Sequence, residues 1–520
     1  MHPIFILKRS VKWTNIILFG FAFLNMMVLS LSSPLYSFNN GVDPNTMFTV
    51  GRGLLSGLMP YKDLFEQKGP LVFLLHTVAA LISKTNFIGI YFLESLALGF
   101  SMLGIRRILA NYLNLWSATF LTLISPALIG IGLFFRGGDT VEAFITPLLV
   151  GLLVLLFNHR NEAAISFTFR ELLIQAILAT IVFWMKYTLI GPWLVFFLAV
   201  ACHNVFNKNW PALSKLVRAA ILGFTAITAP LLFFYWIMSA LDDLFHIYFY
   251  VNLHYYTDSG HLTMLARLIQ PIQNLWQTGG ILIPVVMLLA IIRLVIGTRF
   301  ITNRFIKQVI VGSLVSHYLL MFIGGNTFTY YWEGFAAYLC LALISFGIPI
   351  YNKLSHPIPY IAPATAIFVA LVLPFVSNQN YLNSRLFPNN PMITYPTAVT
   401  SHPQQYAIRF GNIIQHSPHA KVLNFGVLDL GVYLTSGTTP PTKYFSINNL
   451  PTYKPMHRAQ IELVRHRQVK FVVTRIPYGT QLNAQPQKRY QVLHQNYRVI
   501  TKQSAVFEDH IFTYLLLTRR

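Results

Sequence analysis

Eleven apolar runs that approach or reach membrane-spanning length dominate this chain: residues 13–32, 86–105, 115–135, 142–157, 171–185, 189–206, 217–240, 275–298, 308–324, 333–350 and 357–376. Such runs have few fates, because in hydrocarbon every backbone N–H and C=O must be paired within its own segment, which leaves the helix. The predicted fold class is therefore an α-helical polytopic membrane protein. Only 10% of the 520 residues are charged, against about 25% in soluble domains. A soluble enzyme, a fibre and a disordered chain are excluded. The first run follows Lys8, Arg9 and Lys12 and could be a signal peptide cleaved near Ser30-Leu31-Ser32. It has spanning length and further spans follow, so it reads as the first span.

With 38 Lys+Arg against 16 Asp+Glu, the net charge is +22, and the side on which the basic residues fall decides the topology. A cytoplasmic N-terminus puts fifteen of them, from Lys8 to Lys353, inside and only seven in the short outer loops: Arg52, Lys62, Lys68, Lys84, Arg136, Lys186 and Arg267. That satisfies the positive-inside rule, provided that Leu71–Ser83 does not cross. Its thirteen residues suit a helix at, or dipping into, the outer interface. An odd number of spans leaves the C-terminus outside. Residues 1–376 thus read as a transmembrane domain with outer loops 33–85, 136–141, 241–274 and 325–332, residues 377–402 as a linker, and 403–520 as an extracytoplasmic α/β domain.

In that tail, strands are expected at Val422–Val427, Tyr444–Ile447, Phe471–Thr474 and Ile511–Leu517, and a helix at Met456–Val469. It carries 15 Lys+Arg and four acids. Attraction to anionic lipid or an anionic envelope polymer is one reading, solubility the other. Nucleic acid is disfavoured, since the basic region lies outside the cytoplasm. Cys202 and Cys340 sit in apolar runs and read as small buried hydrophobes rather than a disulfide framework. No fixed-period repeat or inverted pair of halves is visible, which weakens a transporter reading.

Chemistry concentrates in the outer loops. Asp43 follows the first span and precedes Pro44, which is expected to keep it out of helical geometry with its carboxylate free to face a cavity; the alternative is a helix cap. Lys68 precedes Gly69-Pro70 at head-group depth and could hold a lipid phosphate or snorkel into bulk lipid. In Phe135-Arg136-Gly137-Gly138-Asp139-Thr140-Val141-Glu142, the acids either cap the next span as a capping box or present carboxylates to acceptor hydroxyls or a cation. Lys186 and Glu94 are ionisable groups at or within the membrane, facing a polar cavity or forming ion pairs, the latter favoured for Glu94. Asp242, Asp243, His246, His254, Asp258 and His261 could bind a divalent ion but lack a fixed ligand spacing. Tyr248, Tyr250, Tyr255 and Tyr256 suit an interfacial belt or sugar stacking, and Asn326, Tyr330 and Tyr331 could line a sugar site.

Gly57-Leu58-Met59-Pro60-Tyr61-Lys62-Asp63, then Lys68-Gly69-Pro70, with Asp43 before it and the acidic 137–142 loop after it, resembles the GT-C superfamily of polytopic glycosyltransferases, including protein O-mannosyltransferases and the lipid A aminoarabinose transferase. Phe425 to Tyr433 and Lys443-Tyr444-Phe445 are similar to tails of bacterial cell-envelope members. The resemblance implies a multi-pass plasma-membrane enzyme moving a sugar from a polyprenyl-phosphate donor to a cell-envelope acceptor at the outer face, with inversion. It implies Asp43 as general base, supported by Asp139. It further implies Lys68, with Lys186 and Arg52, toward the donor phosphate, and Glu142, Glu66, Tyr61, Asn326 and Tyr330 toward sugar or acceptor. Relatives often carry Glu directly before the lysine, sometimes as a metal ligand; Gln67 stands there in this chain and Glu66 one residue earlier, which puts a bound cation in doubt. Relatives also show a His-Tyr pair where this chain has Tyr330-Tyr331. A lipid-linked glycan flippase, a polymer ligase and a non-catalytic envelope scaffold are the competing readings.

Overall fold

The computed structural model describes residues 2–256, 262–356, 358–387, 405–417, 419–450, 452–507 and 510–520. The chain is a multi-pass membrane protein that divides into two compact units, one of residues 1–30, 91–233 and 259–380, the other of residues 31–90, 234–258 and 381–520.

Apolar composition and length make helices that can cross a bilayer by themselves: Ser10–Leu29, Ile88–Leu109, Val141–Asn158, Phe169–Leu189, Trp210–Ile237 and Arg304–Phe322. Val141–Asn158 is their centre, with 78% of its length buried, whereas Trp210–Ile237, with 22% buried, turns Ile221, Phe233 and Trp236 outward. Cys202 is also exposed, contrary to expectation, while Cys340 is buried. Three runs expected as single spans are broken. Residues 115–135 form the short helices Leu115–Thr122, Ser125–Ile129 and Gly132–Phe135, interrupted where Pro126 lacks an N–H and at Gly130. Residues 275–298 break at Thr278-Gly279-Gly280, where Gly279 has φ +74° and the helices Met264–Gln277 and Leu282–Ile296 meet at 116°. Residues 333–350 bend by 43° between Thr329–Leu339 and Leu343–Ser355.

At the end of Val141–Asn158, His159 lies between Glu162 (2.6 Å) and Glu171 (3.0 Å), Glu171 also closing a capping box with Thr168. Burial opposes the His159 charge, but the two carboxylates outweigh it and raise its pKa above 6.5.

The second unit contains a four-stranded sheet of β1 (Val422–Asn424), β2 (Phe471–Pro477), β3 (Tyr497–Phe507) and β4 (His510–Arg519), in the order β1-β2-β4-β3. The β1–β2 pair is parallel and the others antiparallel. Leu423, Val472, Ile476, Leu515 and Leu517 pack with Val464, Tyr490 and Leu493 as its core. Three expectations need correction. The first strand stops at Asn424, and Tyr444–Ile447 is not a strand, although Phe445 O accepts from Asn424 N and Ile447 N donates to Val427 O. The helix runs Lys454–Arg465, ending before Arg467, which adopts φ +52°. Edge strand β3 carries Arg498, Lys502 and Gln503 and shows no apolar alternation, so its pattern hid it.

The helices Val42–Leu55 and Pro70–Ile82 belong to this unit and pack closely: a Cβ on Gly51 would lie 2.7 Å from the His76 backbone, so glycine is required at that crossing.

Candidate functional site

Helix Val42–Leu55 begins one residue before Asp43, with Gly41 as its cap and no side-chain cap bond. Asp43 is therefore in the first helical turn, where a following proline is tolerated, and neither expected geometry, extended nor capping, holds. Its Oδ1 lies 3.0 Å from Lys68 Nζ. Lys68 Nζ is also 3.3 Å from Glu66 Oε1. The Asp43 side chain is 37% exposed and Lys68 21%, whereas Glu66 is 5% exposed. Burial works against the Lys68 charge, but Asp43 and Glu66 more than offset it and hold the ammonium above the ordinary lysine value.

Local sequence sets this lysine. Met59 N donates to Asp63 Oδ2 at 2.8 Å, and Tyr61 N to Leu64 O at 2.7 Å, turning the chain sharply with Tyr61 at φ +68°. Tyr61 is fully buried against Phe73 and Tyr235, and its hydroxyl donates to Lys68 O at 2.6 Å. It thus props the lysine backbone instead of facing solvent. Asn252 Nδ2 donates to Gln67 O at 2.8 Å.

Residues 424–448 brace Glu66 and the helix that carries Asp43. Asn448 Nδ2 donates to Glu66 Oε2 at 2.9 Å. On the helix that carries Asp43, Thr49 Oγ1 donates to Asp429 Oδ2 at 2.8 Å and Arg52 Nη1 to Tyr433 O at 3.1 Å. Asp429 also accepts from Asn424 Nδ2 and Gly431 N. Burial raises the Asp429 carboxyl above the ordinary aspartate value, with those hydrogen bonds pulling the other way. Asn448 and Asn252 escaped the sequence reading, since no local pattern links Glu66 to a residue 382 positions away.

The first unit holds a separate group of acids. Arg136, Gly137, Gly138 and Asp139 all have positive φ, and a Cβ on Gly138 would sit 2.3 Å from Glu94 Oε1, so only glycine fits. Glu94 accepts from Asp139 N at 2.6 Å and Ser30 Oγ at 2.5 Å, hydrogen bonds where an ion pair was expected. Thr140, not Asp139, caps the next helix by accepting from Ala143 N, and its hydroxyl donates to Glu333 Oε2. Glu142, expected to complete a capping box, pairs with Lys186 at 2.5 Å. The Lys186 ammonium also lies over the Tyr331 ring at 3.8 Å and the Tyr330 ring at 5.7 Å. Asn326 stands partly buried in the loop before Tyr330.

Residues 241–256 do not form a metal centre. Asp243 pairs with Lys443, while His246 and His254 stack on either side of Tyr250; Asp258 and His261 lie outside the described residues. Tyr250 is exposed, but Tyr248 is fully buried and joins no interfacial belt. Among the described residues no three His, Cys, Asp or Glu side chains converge as metal ligands, and Glu66 and Asp43 converge on an ammonium. This donor set does not fit a divalent ion.

The apolar helices with a small C-terminal sheet match solved structures at the level of fold. Two similar structures are ArnT from Cupriavidus metallidurans bound to undecaprenyl phosphate (10% identity, TM-score 0.56, 97% of each chain covered) and ArnT from the same organism in the apo state (10%, 0.57, 98% of each). A third is the Archaeoglobus fulgidus oligosaccharyltransferase in complex with zinc and sulfate (14%, 0.50, 96% of this chain and 72% of that one). No protein-family model matches the sequence, and no curated protein matches it.

Proposed function

We propose that this protein is a plasma-membrane glycosyltransferase that moves a sugar from a polyprenyl-phosphate donor to a hydroxyl of a cell-envelope acceptor at the extracytoplasmic face. The observation that carries the reading is one ammonium, Lys68, held between Asp43 and Glu66, on a fold shared with a protein crystallised with undecaprenyl phosphate.

The chemistry follows from that triplet. The acceptor oxygen attacks the anomeric carbon, its proton passes to the Asp43 carboxylate, the bond from anomeric carbon to phosphate oxygen breaks, and the electron pair leaves on the phosphate. Attack opposite the leaving group inverts the configuration. The released phosphate gains charge as the bond breaks, and a fixed ammonium stabilises that charge most in the transition state.

Asp43 is better placed than Asp139 to meet an incoming acceptor, because the Asp43 side chain is 37% exposed and Asp139 is fully buried. Arg52, committed to Tyr433 O, holds the helix instead of the phosphate. Glu142 and Lys186 satisfy one another and shape their own loop.

The test is transfer of radiolabelled sugar from a panel of polyprenyl-phosphate sugars to envelope acceptors in proteoliposomes, wild type against Asp43→Asn. Turnover lost in the variant with lipid binding retained supports the transferase and its base. Equal turnover removes Asp43 from the role, and movement of lipid-linked sugar across the bilayer without transfer replaces the reading with a flippase.

A further inference from the structure

We propose that Asn448 is a positioning residue for the donor-phosphate site: it fixes Glu66, which with Asp43 aims the Lys68 ammonium. This rests on the reading that Lys68 receives the phosphate.

The two oxygens of Glu66 are divided, Oε1 to Lys68 at 3.3 Å and Oε2 to Asn448 Nδ2 at 2.9 Å. A carboxylate as buried as this one must keep its donors, since an unsatisfied charged acceptor is costly. Without Asn448, Glu66 is free to swing both oxygens onto Lys68, and the ammonium is then drawn off the line between Asp43 and an incoming phosphate.

Asn448 can aim Glu66 only if it is itself held, and its segment is. Phe65 N donates to Lys443 O at 2.9 Å, and the Phe65 ring packs against Tyr444 and Tyr453. Gln460 Nε2 and the Tyr433 hydroxyl donate to Tyr444 O and Phe445 O, both at 2.9 Å. Lys443 Nζ reaches Asp243 at 2.6 Å. The same stretch supplies Asp429 to Thr49 and Tyr433 O to Arg52, on the helix that presents Asp43. One stretch of the C-terminal region thus braces Glu66 and the helix that carries Asp43, a task distinct from attracting an acceptor with surface charge.

The experiment measures binding of undecaprenyl phosphate to the full-length protein in nanodiscs, for wild type, Asn448→Ala, Asn448→Asp, Glu66→Gln and the double variant Asn448→Ala/Glu66→Gln, with thermal unfolding alongside. Loss of one hydrogen bond to a buried carboxylate is expected to raise Kd about tenfold for Asn448→Ala. The near-isosteric Asn448→Asp, which adds a negative charge beside Glu66, is expected to weaken binding further. The double variant should bind no worse than Glu66→Gln alone, because Asn448 acts through Glu66. An unchanged Kd in both Asn448 variants, or fully additive losses in the double variant, overturns the proposal while leaving the donor reading intact. No binding by the wild type overturns both.

Discussion

Lys68 and Lys186 are about equally exposed, 21% and 22%, yet they are held in opposite ways. Lys186 makes one short pair with a carboxylate that is 1% exposed and lies against the face of Tyr331. Lys68 divides itself between two carboxylates at ordinary distances, one of them more than a third open to solvent. Exposure of the ammonium therefore does not decide whether a ligand can take it. What decides is whether its partners can let go: removing Lys186 strands a buried charge, whereas a phosphate that replaces Asp43 at Lys68 releases a carboxylate that solvent already reaches.

Asp43→Asn should have the largest effect, lowering kcat about a thousandfold, as loss of a positioned general base does, with the Kd for undecaprenyl phosphate changing far less. A Kd that rises as steeply as kcat falls would make Asp43 a binding group and erase the contrast. Lys186→Met should act on stability, costing about 3 kcal/mol as broken buried pairs do, read as a lower midpoint of unfolding in detergent. If it instead weakens undecaprenyl phosphate binding as Lys68→Met does, the two lysines are equivalent and the comparison fails. Gly138→Ala, which forces a Cβ toward Glu94 at a positive φ, should cost about 2 kcal/mol by the same measurement; no loss would mean the 136–139 turn can relax.

The smallest effect is expected at a third cation held by two carboxylates, His159. Its pKa is raised above 6.5, so its pairing adds stability that is fully present below pH 6.5 and fades as pH climbs through the raised value. Wild type and His159→Gln should differ most on the acid side and converge above it. Divergence with rising pH would reverse the sign and assign His159 as neutral.

Local sequence carried much of this. Spanning helices were legible from hydrophobic length, and the resemblance singled out Asp43 and Lys68, though not that they pair. Breaks within apolar runs were harder, since Pro126 and Gly279 are each tolerated in many membrane helices. Thr140 beat Asp139 to the cap because a left-handed turn, invisible in composition, committed the Asp139 backbone to Glu94. The bond between Asn448 and Glu66 offered no signal at all, because a single hydrogen bond spanning 382 residues follows from tertiary packing alone.

The Thr49–Asp429 hydrogen bond joins residues 380 positions apart, and this separation acquires a meaning during translation. At about 5–20 residues per second, a ribosome emits Asp429 roughly twenty seconds to over a minute after Thr49. Throughout that interval the nascent chain can insert its helices but cannot complete the brace on the helix that bears Asp43. A message cut short before that codon would yield a membrane-inserted product whose Asp43 helix lacks this brace, so the proposed site is completed only after Asp429 has been made.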